Sequence, residues 1–119
     1  MEDNNILGLH TLLTLQSHSL DLFTDCESFI VFIHDILETH QLFLIGETHH
    51  SFENKSFTIA FCLKESHICI HTWPEINKIT ADIYLCNYSK NNEHLVKLIA
   101  EKITNYFDAT IINQSDIYR

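Results

Sequence analysis

Residues 65–75, Glu65-Ser66-His67-Ile68-Cys69-Ile70-His71-Thr72-Trp73-Pro74-Glu75, decide how the rest of this chain is read. Period-two alternation sends Ile68, Ile70 and Thr72 to one side of an extended segment, and His67, Cys69, His71 and Trp73 to the other. One side suits a core; the other is crowded with imidazole, thiol and indole groups. The chain's single Trp and single Pro close the stretch. Pro74 has no N–H to give to a sheet, so it marks the end of a strand.

The neighbouring segments repeat the pattern. Residues 56–64 place Phe57, Ile59, Phe61 and Leu63 opposite Ser56, Thr58, Ala60 and Cys62, which predicts a third strand ahead of the fourth at 67–73. Residues 80–86 make a fifth, with Ala81, Ile83 and Leu85 opposite Asp82, Tyr84 and Cys86. Further out, residues 6–15 read as a first strand and 42–52 as a second running into a loop. Adjacent His49 and His50 would point to opposite faces there, so they are read as surface or loop histidines, and His10 as a satisfied structural one.

Two helices complete the set. Thr24-Asp25-Cys26-Glu27 has capping-box spacing, with Thr24 as the cap, and Phe29, Ile30, Ile33, Ile36 and Leu37 recur at helical spacing through His40. A second helix opens at 90–93 with Asn91 or Asn92 as cap, and its apolar stripe runs from Leu95 to Phe107. Residues 109–112 add a short last strand, and the tail after Gln114 is read as loose. The expectation is an α+β two-layer sandwich, a mainly antiparallel sheet with two helices on one face. The other face, too polar for a core and too aromatic for plain solvent, is assigned to a ligand site or a contact with a second sheet.

At 119 residues the chain has room for one domain, 1–119, and 45% hydrophobic residues supply its core. No apolar run reaches the length of a membrane span, and the acidic start lacks the basic residues of a signal peptide, so a cytoplasmic protein is expected. A net charge of −9 argues against nucleic acid, whose phosphates demand Lys and Arg. It tolerates a cationic ligand such as a sulfonium or polyamine, although solvation of a small protein explains it as well. Four cysteines without CxxC spacing read as free thiols.

The run 65–75, followed by a strand that carries Asp82 and ends in Cys86, resembles the processing site of the bacterial S-adenosylmethionine decarboxylase proenzymes. These are small pyruvoyl-dependent enzymes of spermidine synthesis. The resemblance implies autocatalytic cleavage between Glu65 and Ser66, giving chains 1–65 and 66–119. Ser66 Oγ attacks the Glu65 carbonyl to make an ester; β-elimination then cuts the chain. The dehydroalanine left behind hydrolyses to the pyruvoyl cofactor and ammonia. The resemblance makes His71 the processing base, a task for which an imidazole is suited, and Thr58 its assistant. In turnover the ketone forms a Schiff base with the substrate amine and serves as electron sink. Cys86 is implied as the acid that reprotonates the product. Phe52 and Trp73 are implied to sandwich adenine, with Glu75 accepting the ribose hydroxyls. The implied assembly is a homodimer with active sites near the interface between protomers.

Ser66 and His71 are five residues apart, which puts them on opposite faces of a straight strand, so the scissile bond is expected at a turn or bend between strands three and four. The chain also departs from the family pattern. Thr58 stands at a serine position, Phe57, Ile59 and Asn87 stand at glycine positions, and an acidic residue common on the first strand aligns near Thr14. Three other readings compete. One is a pyruvoyl decarboxylase of ornithine or arginine, which would have no use for the stacking pair. Another is a non-catalytic regulatory paralogue, against which the survival of Ser66, His71 and Cys86 argues. The last is zinc binding by His67, Cys69 and His71, ranked lowest because such spacing is common; no metal is expected.

Overall fold

A computed structural model describes residues 7–87 and 90–119. Six strands form one sheet in the order β2-β3-β4-β5-β1-β6, with every neighbouring pair antiparallel. They are β1 (Leu9–Gln16), β2 (Leu44–Ser51), β3 (Phe57–Leu63), β4 (Ser66–Trp73), β5 (Lys78–Leu85) and β6 (Thr110–Tyr118). A short α1 (Leu20–Phe23) and α2 (Cys26–Thr39) carry the chain from β1 to the far edge, and α3 (Glu93–Tyr106) brings it back. The expected α+β architecture is therefore present, and the sheet is wholly antiparallel among the described residues. No helix among them is long and apolar enough to cross a membrane.

The apolar face of each central strand is buried beneath the helices. Phe57, Ile59 and Phe61 of β3, Ile68 and Ile70 of β4, and Ile79 and Ile83 of β5 are all fully buried. Phe29 of α2 packs on Phe57 and Phe61 and stacks on Phe107 at the end of α3, which locks the two helices and the sheet into one core. Phe57 and Ile59 fill core volume, and burying a large apolar side chain stabilises by roughly 1.5–3 kcal/mol.

Several boundaries differ from the sequence reading. The cap of α2 is Asp25, whose carboxylate accepts from Ser28 N at 3.1 Å and from the Ser28 hydroxyl at 2.8 Å. Those bonds, the hydroxyl's first, hold the Asp25 carboxyl below its ordinary pKa. Thr24 instead donates to Asp21 O at the end of α1. The start expected at Ile6 lies outside the described residues. The tail is ordered: β6 runs to Tyr118, Thr11 donates to Asp116 at 2.8 Å, and Gly8 and Arg119 exchange two backbone hydrogen bonds. As an edge strand exposed along its whole length, β6 has no buried face to impose alternation on its sequence. His49 and His50 are exposed, but on β2.

Candidate active site

Strand β4 begins at a two-residue turn. Leu63 pairs with Ser66, leaving Lys64 and Glu65 to reverse the chain, and Glu65 is left-handed at φ 61°. With only two glycines in the chain, Gln41, Lys55, Asn77 and Asp108 take the same conformation at other turns. Such non-glycine positions are sparsely populated because Cβ crowds the backbone. The Glu65–Ser66 bond therefore lies at a turn, as expected from parity. Ser66 Oγ accepts the Cys86 N–H at 2.9 Å, bringing the serine to the end of β5.

Cys86 is held from both sides. Asn92 Nδ2 donates to Cys86 O at 2.9 Å, and Asn92 N donates to Asn87 Oδ1 at 2.8 Å, so Asn87 works as a loop acceptor. Behind it, a Cβ on Gly8 would run into the Leu85 carbonyl and lie 3.0 Å from Cys86 Cα. Only glycine permits that approach. Ser66, Glu65, Cys86, Lys90 and Asn92 line an open cleft of about 340 Å³.

The other end of β4 carries a second cleft, of about 760 Å³, lined by Phe52, Thr58, His71, Trp73 and Glu75 among others. This volume falls in the range of small-molecule sites. His71 Nδ1 lies 2.8 Å from the hydroxyl of Thr58, its cross-strand partner, so the methyl that threonine adds does not break the hydroxyl–imidazole contact. With Nδ1–H donating to that hydroxyl, Nε2 keeps a lone pair for taking a proton. Phe52 and Trp73 are 49% and 41% exposed, so neither ring belongs to the core. Pro74 ends the strand as predicted and opens a 3-10 turn over Pro74–Ile76. Glu75 within it accepts from Asn54 Nδ2 at 3.5 Å.

The expected site residues thus fall into two groups, Glu65, Ser66 and Cys86 at one end and Phe52, Thr58, His71, Trp73 and Glu75 at the other. Ser66 and His71 are five positions apart along the strand, roughly 16 Å, and their side chains leave on opposite faces. The turn does not fold one back onto the other.

Between the ends lies a group that sequence reasoning did not assemble. His10 of β1 and His67 of β4 flank Tyr84 of β5, and Asp82 reaches between them. His10 Nε2 meets Asp82 Oδ1, and Arg119 Nη1 faces His10 Nδ1 at 3.3 Å. Burial pushes the His67 pKa down, against the pull of Asp82. Burial likewise pushes the Cys69 thiol up, with Asp82 and Cys62 adding to the rise. His10 and Asp82 are 72 residues apart, and no local pattern announces such a contact. Asn54 and Asn92 were equally illegible, since only the folded loops show what their amides hold.

Fold and site together define a class, an antiparallel sheet backed by helices whose open side carries imidazole, thiol and hydroxyl groups. The crystal structure of the adenosylmethionine decarboxylase from Aquifex aeolicus VF5 shares this fold, with TM-score 0.76 over 96% of this chain and 89% of that one, at 23% identity. S-adenosylmethionine decarboxylase proenzymes from Clostridium botulinum (strain Loch Maree / Type A3) and Archaeoglobus fulgidus are 29% and 28% identical over 96 and 97 residues. Those alignments cover 81% and 82% of this chain, and 83% and 87% of the two relatives. The family description S-adenosylmethionine decarboxylase matches residues 9–116, and the chain belongs to that family.

Proposed function

We propose that this chain, as a single domain over 1–119, cuts itself between Glu65 and Ser66. The pyruvoyl enzyme so formed decarboxylates S-adenosylmethionine to the aminopropyl donor for spermidine synthesis. The observation that carries the reading is Ser66 at the β3–β4 turn, following a left-handed Glu65, with its Oγ on the Cys86 amide in an open cleft. A pyruvoyl group formed at residue 66 fits there, because the turn leaves the new chain end free and the cleft admits a substrate.

Each step asks for one group. Ser66 Oγ attacks the Glu65 carbonyl carbon, its proton passes to the leaving nitrogen as the Glu65–Ser66 C–N bond breaks to leave an ester, and the Cys86 N–H holds that oxygen in place for the attack. Loss of the Ser66 Cα proton to His71 breaks the Cβ–Oγ bond and releases the Glu65 carboxylate. Thr58 orients the imidazole for that transfer. The pyruvoyl ketone, once present, supplies the electron sink for loss of carbon dioxide. Cys86 returns a proton to the product carbon. Phe52 and Trp73 stack on adenine, and Glu75, oriented by Asn54, accepts the ribose hydroxyls.

These roles need Ser66 and His71 together, and one chain holds them apart. A second copy resolves this. In a two-fold homodimer, the Ser66–Cys86 end of one protomer meets the His71–Trp73 end of its partner, and two complete sites result. The polar face of the sheet, with no helix over it among the described residues, is the surface such a pairing uses. The product is a cytoplasmic enzyme working on a cationic small molecule, which an acidic chain favours electrostatically.

Intact-mass measurement under denaturing conditions tests the reading. Purified protein should separate into residues 1–65 and a second chain beginning at position 66 without a free serine amine. Ser66→Ala should stay folded, uncut and inactive, because alanine has no oxygen nucleophile. A single intact wild-type chain after long incubation would overturn self-cleavage.

A further inference from the structure

We propose that His10, His67 and Asp82 form a binding site for a divalent transition-metal ion of the zinc class, on the open face of the sheet and away from both clefts. The three residues come from adjacent strands β1, β4 and β5, and one ligand atom from each lies within 4.8 Å of the others. A tetrahedral zinc ion with bonds of about 2.0–2.1 Å holds its ligands roughly 3.3–3.5 Å apart. The sheet fixes the backbone positions, so reaching that geometry falls to the side-chain torsions.

The ligand chemistry fits this ion class. Two imidazoles and one carboxylate make a mixed nitrogen and oxygen set, with a fourth position open to water or another group. His67 is the informative member. Its ring packs against His10 and Tyr84, yet neither ring nitrogen has a hydrogen-bond partner among the described residues, so the nitrogen within 4.8 Å of the Asp82 carboxylate is uncommitted. Burial pushes the pKa of that ring down, which favours the neutral form that binds metal.

Arg119 supplies the competing state. A guanidinium only donates, so its contact at 3.3 Å requires a lone pair on His10 Nδ1 and leaves the proton on Nε2, shared with Asp82. A metal on Nε2 reverses this, since Nδ1 must then carry the proton and Arg119 must leave. Metal and Arg119 are therefore alternative occupants. Ion binding would tie β4, which carries Ser66 and His71, to β5, which leads into Cys86.

The test uses the full-length protein, stripped with a chelator and titrated with zinc and, separately, cobalt(II). One zinc per chain should bind, and cobalt should give the visible bands of a tetrahedral site without a thiolate charge-transfer band. His67→Ala should weaken zinc by at least about tenfold, since losing even an outer-shell partner of a metal costs 10–100-fold. Arg119→Ala should strengthen it. A fold check by circular dichroism accompanies the variants. Independently of any variant, the ring resonances of His10 and His67 should shift during a zinc titration of the wild type while those of His49 and His50 stay. A thiolate band would move the ion to the cysteines. Unchanged binding in folded His67→Ala, loss of binding on replacing His49 and His50, or no binding at all would each overturn the proposal.

Discussion

The two ends of β4 are built in different ways. At the Ser66 end the contacts run through the main chain: the Cys86 N–H to Ser66 Oγ, the Cys86 carbonyl to Asn92, and the Leu85 carbonyl against Gly8. At the His71 end they run between side chains: Thr58 to His71, Asn54 to Glu75, and two exposed rings beside them. The Ser66 end therefore turns on a few residues that touch the main chain, Ser66, Asn92 and the Cβ-free Gly8, while the other end is defined by the side chains it displays.

The sharpest way to separate the two ends is to compare Cys86→Ala with Trp73→Leu. Both should leave self-cleavage largely intact. Cys86→Ala removes the proposed proton donor and should lose about 10²–10⁴-fold in turnover. A proton delivered to the wrong carbon would also transaminate the pyruvoyl group, so this variant should inactivate progressively while it works. Trp73→Leu should lose about tenfold to a hundredfold on S-adenosylmethionine, since stacking on a base contributes roughly 1–3 kcal/mol, with no progressive inactivation. Equal behaviour of the two variants in a turnover time course would erase the distinction.

A smaller effect is expected behind the cutting end. Gly8→Ala pushes a methyl group into the Leu85 carbonyl, a backbone atom that cannot swing aside. Overpacking of this kind costs roughly 1–3 kcal/mol, measurable by urea denaturation, and it should slow cleavage by displacing the Cys86 amide from Ser66. Unchanged stability and cleavage would mean the end of β5 is looser than its hydrogen bonds indicate.

The smallest effect lies at the centre of the open face. His67 has its folded pKa below the ordinary histidine value of about 6.5, so the unfolded chain takes up a proton before the folded one does. Stability should then fall as pH drops through about 6.5 and level off below the folded pKa. His67→Gln should flatten that part of the profile. Identical pH slopes for wild type and variant would show the imidazole to be fully solvated.

How legible each region was follows from the same physics. The alternation in β3, β4 and β5 was readable because one face is buried by helices and the other is not. Pro74 and the helical stripes were readable for equally local reasons. The polar run Asn113-Gln114-Ser115-Asp116 gave no strand signal because neither face of β6 is covered, and only its pairing with β1 orders it. The α2 cap was misplaced by one residue because Thr24 and Asp25 are both good caps, and only the fold shows which reaches an amide. The two groups of site residues were named from the resemblance, and parity already put Ser66 and His71 on opposite faces; the expected turn is there, but it does not bring them together. The cluster of His10, His67 and Asp82 depends on strand order, which no stretch of sequence contains.

That separation makes co-expression the most direct test of the central claim, that each site draws on two protomers. His71→Ala supplies Ser66 without its base, and Ser66→Ala supplies the base without a serine. Expressed alone, the His71→Ala chain should cleave slowly, and the Ser66→Ala chain not at all. In mixed dimers carrying distinguishable tags, the His71→Ala chain should be cut at a rate near wild type by the imidazole of its partner. If that chain stays intact in isolated mixed dimers, the two ends of β4 do not meet across the interface, and this account of the site is contradicted.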